Sequence, residues 1–164
     1  GGFVQNCYIH DITGVGIHVP KLYGSKAIVY GNIVDTCTGR GISVDPGGGD
    51  GGFLVLAHNT VYGCGGDGFY FTDAGITTIV AFNNLSANNT GYGFNVPTAI
   101  SVADYKPQFS NNATYGNSSG GFSNSGMDEN PQTADPGFTD APNGDFTIGT
   151  NLKALGFPTL PIGT

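Results

Sequence analysis

Charged side chains are scarce in this sequence. Asp, Glu, Lys and Arg make up 10% of the residues, against about 25% in an ordinary soluble domain. The surface must therefore be covered mainly by Asn, Ser, Thr, Gly and Tyr, which suits contact with carbohydrate or tight packing against other protein. Cations are scarcer still: five Lys and Arg against twelve Asp and Glu leave a net charge of −7. That disfavours nucleic-acid binding, which needs clustered cations to neutralise phosphates. No apolar run approaches the roughly 20 residues of a membrane-spanning helix. A signal-peptide pattern and an initiating Met are both missing. The chain opens at Gly1-Gly2-Phe3-Val4, already close to a strand-like pattern, and reads as a piece of a longer protein. Cysteine is limited to Cys7, Cys37 and Cys64. An odd number forbids full pairing within the chain, and no Cys/His spacing resembles a zinc site.

What is abundant points to an all-β chain with many turns. Glycine occurs 29 times, without the strict third-position period of collagen. Eleven Phe and eight Tyr are too many for a disordered chain. At 164 residues the length is that of one domain able to bury a core.

Internal repetition is the strongest signal. Five segments align without internal gaps: CYIHDITGVGIHV (7–19), NIVDTCTGRGISV (32–44), NTVYGCGGDGFYF (59–71), NLSANNTGYGFNV (84–96) and NATYGNSSGGFSN (112–124). Their starts are 25, 27, 25 and 28 residues apart, one coil of a three-strand solenoid with corner loops of varying length. The first column reads Cys7, Asn32, Asn59, Asn84, Asn112. A second reads Gly16, Gly41, Gly68, Gly93, Gly121, followed at once by Ile17, Ile42, Phe69, Phe94, Phe122. Two residues on come Val19, Val44, Phe71 and Val96, lapsing at Asn124. This period of two marks a strand with one buried face.

The reading is an all-β parallel β-helix of about five to six coils. Coils stacked about 4.8 Å apart place like residues directly above one another. Buried asparagines can then hydrogen-bond from coil to coil, which predicts a ladder of Asn32, Asn59, Asn84 and Asn112. Glycine is expected to supply a left-handed corner before each apolar strand. Cys7, standing where the ladder has Asn, is expected to be buried at its broken end. Cys37 and Cys64 share a column, close enough for a disulfide and equally compatible with stacked thiols; reduced thiols are the preferred reading. The coils are expected over residues 1–125, and an atypical last turn, cap and extended tail over 126–164.

The Asn-ladder repeats resemble the right-handed parallel β-helix superfamily of pectate lyases, polygalacturonases and phage tailspikes. The ending, Asp135-Pro136-Gly137-Phe138-Thr139-Asp140, then Asn143-Gly144-Asp145-Phe146-Thr147-Ile148, then Leu152-Lys153-Ala154-Leu155-Gly156, resembles the terminal segment of many bacterial and phage β-helix repeat proteins. The resemblance is specific for fold and weak for activity, since this fold hosts lyases, hydrolases, adhesins and inert virion parts.

Enzymes of this superfamily often place catalysis on the outer face of the Gly-apolar-x-apolar strand. There the outward columns are Val15, Arg40, Asp67, Tyr92 and His18, Ser43, Tyr70, Asn95. If the chain is an enzyme, a polysaccharide lyase or glycoside hydrolase, its candidates are His18, Arg40, Asp45, Asp67 and Asp73, with paired carboxylates doing acid–base work. Against this, the preferred reading of these residues is a surface ion pair of Arg40 and Asp67 with loop aspartates that terminate strands. The polygalacturonase and pectate-lyase signatures are also missing. Tyr62, Tyr70, Tyr92 and Tyr115 are candidate sugar-stacking residues, though Tyr is also a common strand residue. Residues 45–52 form a glycine-rich loop with two carboxylates but without the ligand set of a calcium loop or the Lys of a phosphate loop. Four sequons, at Asn84, Asn88, Asn112 and Asn117, are matches that an Asn- and Thr-rich chain produces by chance. The three His are dispersed, so no metal and no cofactor are expected. The favoured function is a non-catalytic structural and binding module, extracellular, on a cell surface or on a virion. Its partners would be glycan or neighbouring protein subunits, with a homotrimer by analogy with tailspikes and a cover of some kind over the N-terminal coil.

Overall fold

The computed structural model describes residues 1–45, 52–72, 77–96, 108–153 and 155. The first coil holds β1 (Gly2–Gln5), β2 (Tyr8–His10) and β3 (Ile17–Val19), and the second β4 (Lys26–Tyr30), β5 (Ile33–Asp35) and β6 (Ile42–Val44). Next come β7 (Gly52–Ala57), β8 (Thr60–Tyr62) and β9 (Phe69–Phe71), then β10 (Thr77–Phe82), β11 (Leu85–Ala87) and β12 (Tyr92–Asn95). The fifth coil is β13 (Gln108–Ser110), β14 (Ala113–Tyr115) and β15 (Gly120–Phe122). Like strands of successive coils pair in parallel, making three sheets of five strands each. The chain thus climbs about four turns from its first rung to its last, slightly fewer than the five to six coils expected.

Register follows the sequence columns. Ile17 pairs with Ile42, Ile42 with Phe69, Phe69 with Phe94 and Phe94 with Phe122. The inward rings stack: Phe69 on Phe94 at 4.5 Å and Phe94 on Phe122 at 4.8 Å between centroids, the coil spacing itself. One core runs the length of the solenoid, joining these rings to Val29, Leu54, Leu56, Val61 and Ile79.

The asparagine ladder is continuous and directional. The backbone N–H and side-chain Nδ2 of Asn32 both donate to Asn59 Oδ1, at 3.1 and 2.9 Å. Asn59 does the same to Asn84, and Asn84 to Asn112. The other amide hydrogen goes to a backbone carbonyl: Val29 for Asn59, Leu56 for Asn84. All four are fully buried, and their partners offset the cost of burying amides. Each coil turns two of its corners through left-handed residues. Asn6, Gly31, His58, Asn83 and Asn111 precede the ladder column; Asp11, Thr36, Gly63, Asn88 and Gly116 precede the cysteine column; all have φ between 49° and 65°.

The glycine column has a different cause from the one its sequence suggests. None of Gly16, Gly41, Gly68, Gly93 and Gly121 lies in the left-handed region. Glycine is required there by close approach: a Cβ on Gly93 would meet the Gly121 carbonyl oxygen and Thr114 Cγ2, both at 2.8 Å. Cys7 is a second correction. It stands in the ladder column, and its N–H donates to Asn32 Oδ1 at 3.1 Å, yet it is exposed because no coil lies over it among the described residues.

After the fifth coil a partial rung forms, with parallel bridges Phe109–Asp128 and Ala113–Gln132. Asp128 accepts both ladder donors of Asn112, at 3.1 and 2.6 Å. A carboxylate only accepts, so it ends the ladder without needing a further coil. The chain then lies along the outward face of the second sheet (β2, β5, β8, β11, β14). Ala134, Ile148 and Leu152 pack with Leu85 and Ala113. Ala141 and Phe146 pack on Ile33, and Phe138 and Phe146 make edge contacts with the Tyr62 ring. The segment is a hairpin, closed by Thr139 N–H to Thr147 O at 3.0 Å and by the Asp140–Asp145 bridge. A short 3-10 turn, Ala141–Asn143, makes its tip, and a helical turn, α1 (Thr150–Lys153), follows. Among the described residues no helix is long and apolar enough to cross a membrane.

Candidate functional site

The third sheet (β3, β6, β9, β12, β15) presents its outward side chains in the expected columns. His18 pairs with Ser43, Ser43 with Tyr70, and Tyr70 with Asn95. Short strands flanked by fixed corners hold these residues on one face, with the Ile/Phe column anchoring the other. His18 is exposed; Tyr70, Tyr92, Arg40, Asp67 and Asn95 are half-buried; Ser43 is buried.

Arg40 and Asp67 occupy neighbouring coils, joined by Gly41 N–H to Asp67 O at 3.0 Å, but their side chains do not pair. The Arg40 guanidinium lies flat over the Tyr70 ring, 3.4 Å from its centroid, an attraction between a cation and the negative face of a π-system. Asp67 turns to the next coil. Its Oδ1 accepts from Tyr92 N–H at 2.7 Å and its Oδ2 from Asn95 Nδ2 at 3.0 Å. Asp45 accepts from the Thr72 hydroxyl at 2.9 Å. Continuing the strand register, Asp45 aligns with Thr72, five positions beyond Asp67. At 3.2–3.4 Å per residue the backbones of the two residues are roughly 15 Å apart along the strand, so they are not placed side by side as a glycosidase pair is. Asp73, and residues 46–51 of the glycine-rich loop, lie outside the described residues.

The four tyrosines part company. Tyr70 carries Arg40, and Tyr92 stands at the start of β12, its N–H on Asp67 and its backbone paired with Gly120. Tyr62 is covered by Phe138 and Phe146 of the hairpin. Tyr115 shares the Tyr62 column through Ala87 but is exposed, at the rim of a cleft of about 240 Å³ with Asn117, Gly121 and Thr133. A hydrogen bond to the Asp135 carboxylate raises its phenol above the usual value.

No metal centre is assembled: among the described residues no three His, Cys, Asp or Glu side chains converge. His58 stands edge-on between Tyr30 and Phe82, and burial lowers its basicity. His10 pairs with Asp11 at 2.9 Å. Cys37 and Cys64 are buried free thiols, and burial pushes the Cys64 thiol up to about 12, which removes nucleophilic reactivity at neutral pH. Two sequon asparagines, Asn84 and Asn112, are the buried ladder residues.

Sequence reasoning missed several working residues. Asn89 and Asn117 extend the Cys37–Cys64 column into a second ladder, Asn89 Nδ2 donating to Asn117 Oδ1 at 2.9 Å; their shared column with the cysteines is the signal that could have found them. Asp128 offers no such signal, because its rung is 16 residues after Asn112. The Arg40–Tyr70 stack required knowing that Asp67 is held elsewhere.

Three parallel sheets wound around one core, cross-linked by internal asparagine ladders, define the class: a parallel β-helix. A family model described as a right handed beta helix region matches residues 1–114, and the chain belongs to that family. No curated protein and no solved structure matches it.

Proposed function

We propose that the chain is a non-catalytic structural and binding module of an extracellular surface or virion protein. It uses the outward face of the third sheet to contact a glycan or a neighbouring protein subunit, with a homotrimer as the expected assembly. The observation that carries this reading is how Arg40, Asp45 and Asp67 are used among the described residues of that face. Asp67 accepts from Tyr92 and Asn95, Arg40 is laid on Tyr70, and the Asp45 backbone stands roughly 15 Å along the strand from that of Asp67. Such groups fix a surface; they are not set opposite one another across a scissile bond. The face they fix combines two half-buried tyrosines, a stacked guanidinium and side-chain amides, which suits the apolar faces and hydroxyl rims of sugars.

The test is retention of polysaccharides on the immobilised chain. Neutral glycans should be retained saturably, and Tyr70→Ala should weaken retention about tenfold or more, the scale of losing a central aromatic contact. Retention unchanged by both Tyr70→Ala and Tyr92→Ala would remove this face from the reading. Release of reducing ends or unsaturated uronates, abolished by Asp67→Asn, would replace it with a polysaccharide lyase or hydrolase.

A further inference from the structure

One buried acid on the opposite side of the solenoid has no part in that face. Asp35 ends β5 in the outward column His10, Asp35, Tyr62, yet it is only 7% exposed. An outward side chain on a sheet is buried by larger neighbours beside it or by something lying over the sheet. Over this part lie the hairpin tip, whose Ala141 and Phe146 pack on Ile33, and the rings of Tyr8 and Tyr62, both against Phe146. Asp35 Oδ2 accepts from the Tyr8 hydroxyl at 3.2 Å, while Oδ1 is buried without a hydrogen-bond partner. An ionised carboxylate with an unpartnered buried oxygen opposes the cover that buries it.

We propose that the hairpin over residues 139–147 is an acid-tightened clasp, closing on the second sheet when Asp35 takes up a proton and loosening when Asp35 ionises. Burial raises the Asp35 carboxyl above its usual value, and the Tyr8 hydroxyl offsets this only in part. A group whose value is raised in the closed form favours closure fully below its open-form value, near pH 4. That preference is lost as pH rises through the closed-form value. Of the other ionisable groups around Asp35, the buried Cys37 and Cys64 thiols are raised by burial and stay neutral. Tyr8 is raised by burial and by Asp35 and stays neutral throughout. Asp11 is held low by His10 and Thr36 and adds a constant repulsion. His10 pairs with Asp11 at 2.9 Å. Tyr62 flanks from β8. On the hairpin, Asp145 is lowered by its bonds to Thr147, and Asp140 accepts from Asn143.

The experiment is hydrogen exchange by mass spectrometry on the whole chain, corrected for intrinsic rates, following peptides that cover 134–153. Protection there should fall about threefold or more between pH 4 and pH 7, while peptides from the ladder at 84–96 hold theirs. Asp35→Asn should flatten the response, and Tyr8→Phe should move its midpoint to higher pH. His10→Gln should keep the fall. A flat wild-type response, a fall that survives in Asp35→Asn, or one abolished by His10→Gln would each overturn the clasp.

Discussion

The outward faces of the second and third sheets are built by the same coils and meet opposite fates. On the second sheet the outward residues Ile33, Tyr62, Leu85 and Ala113 are covered by Phe138, Phe146, Ile148 and Leu152, and Tyr8 meets the Phe146 edge. On the third sheet the outward residues His18, Ser43, Tyr70 and Asn95 carry no such cover among the described residues; Asn95 donates to Asp67 of the adjacent coil and Tyr70 carries Arg40. A β-helix coil does not decide which side is interior. That is set by what the outward columns are made of and by whether another part of the chain has apolar residues to lay on them. The covered face supplies stability, and the uncovered one is the face we propose supplies contact.

The comparison predicts unequal costs. Phe146→Ala, which removes the ring shared by Tyr8, Tyr62 and Phe138, should cost about 3–5 kcal/mol by urea unfolding, as for other buried aromatics. Tyr70→Ala should cost under about 1 kcal/mol, the ordinary scale for a side chain on an uncovered face. Equal costs would break the distinction between the faces. Asn59→Leu, beneath both, should cost about 1–3 kcal/mol by leaving Asn32 and Asn84 short of partners, and should loosen the two faces together. Arg40→Met should cost about 0.5–1 kcal/mol, the value of an exposed cation–π contact, and should free the Tyr70 ring, seen as a change in its fluorescence or NMR line. Least in energy but clearest in contrast is thiol labelling at neutral pH. Cys7 should react with iodoacetamide, whereas Cys37 and Cys64 should stay unmodified until the chain unfolds; prompt reaction at Cys64, whose thiol stands at about 12, would contradict its burial.

Much of this was legible in the residue columns. Asn32, Asn59, Asn84 and Asn112 recur at coil spacing because each amide needs the next, and such a dependence leaves a period. The outward columns His18–Ser43–Tyr70–Asn95 follow from strand alternation alone. The glycine column is legible as a column but not in its cause: a requirement for φ and a requirement for space both select glycine, and only the Gly121 carbonyl beside Gly93 separates them. The hairpin's cover of Tyr62 was not legible, because Phe138 and Phe146 sit outside the repeat and no period relates them to Tyr8 or Ile33. For the same reason Tyr62 and Tyr70 look equivalent in the sequence, although one is packed under aromatic rings and the other holds Arg40. The acidic candidates failed to form a pair for a simpler reason: Asp45 and Asp67 stand at opposite ends of the strand segment, and proximity in number across coils is not proximity along it.

The most direct test of the central claim, that the third sheet's outward face binds without turning over what it binds, is product release from polysaccharide held on the immobilised chain. The account predicts retention that Tyr70→Ala weakens and no reducing ends or unsaturated uronates from wild type or Asp67→Asn. Catalytic release by wild type that Asp67→Asn abolishes would contradict it.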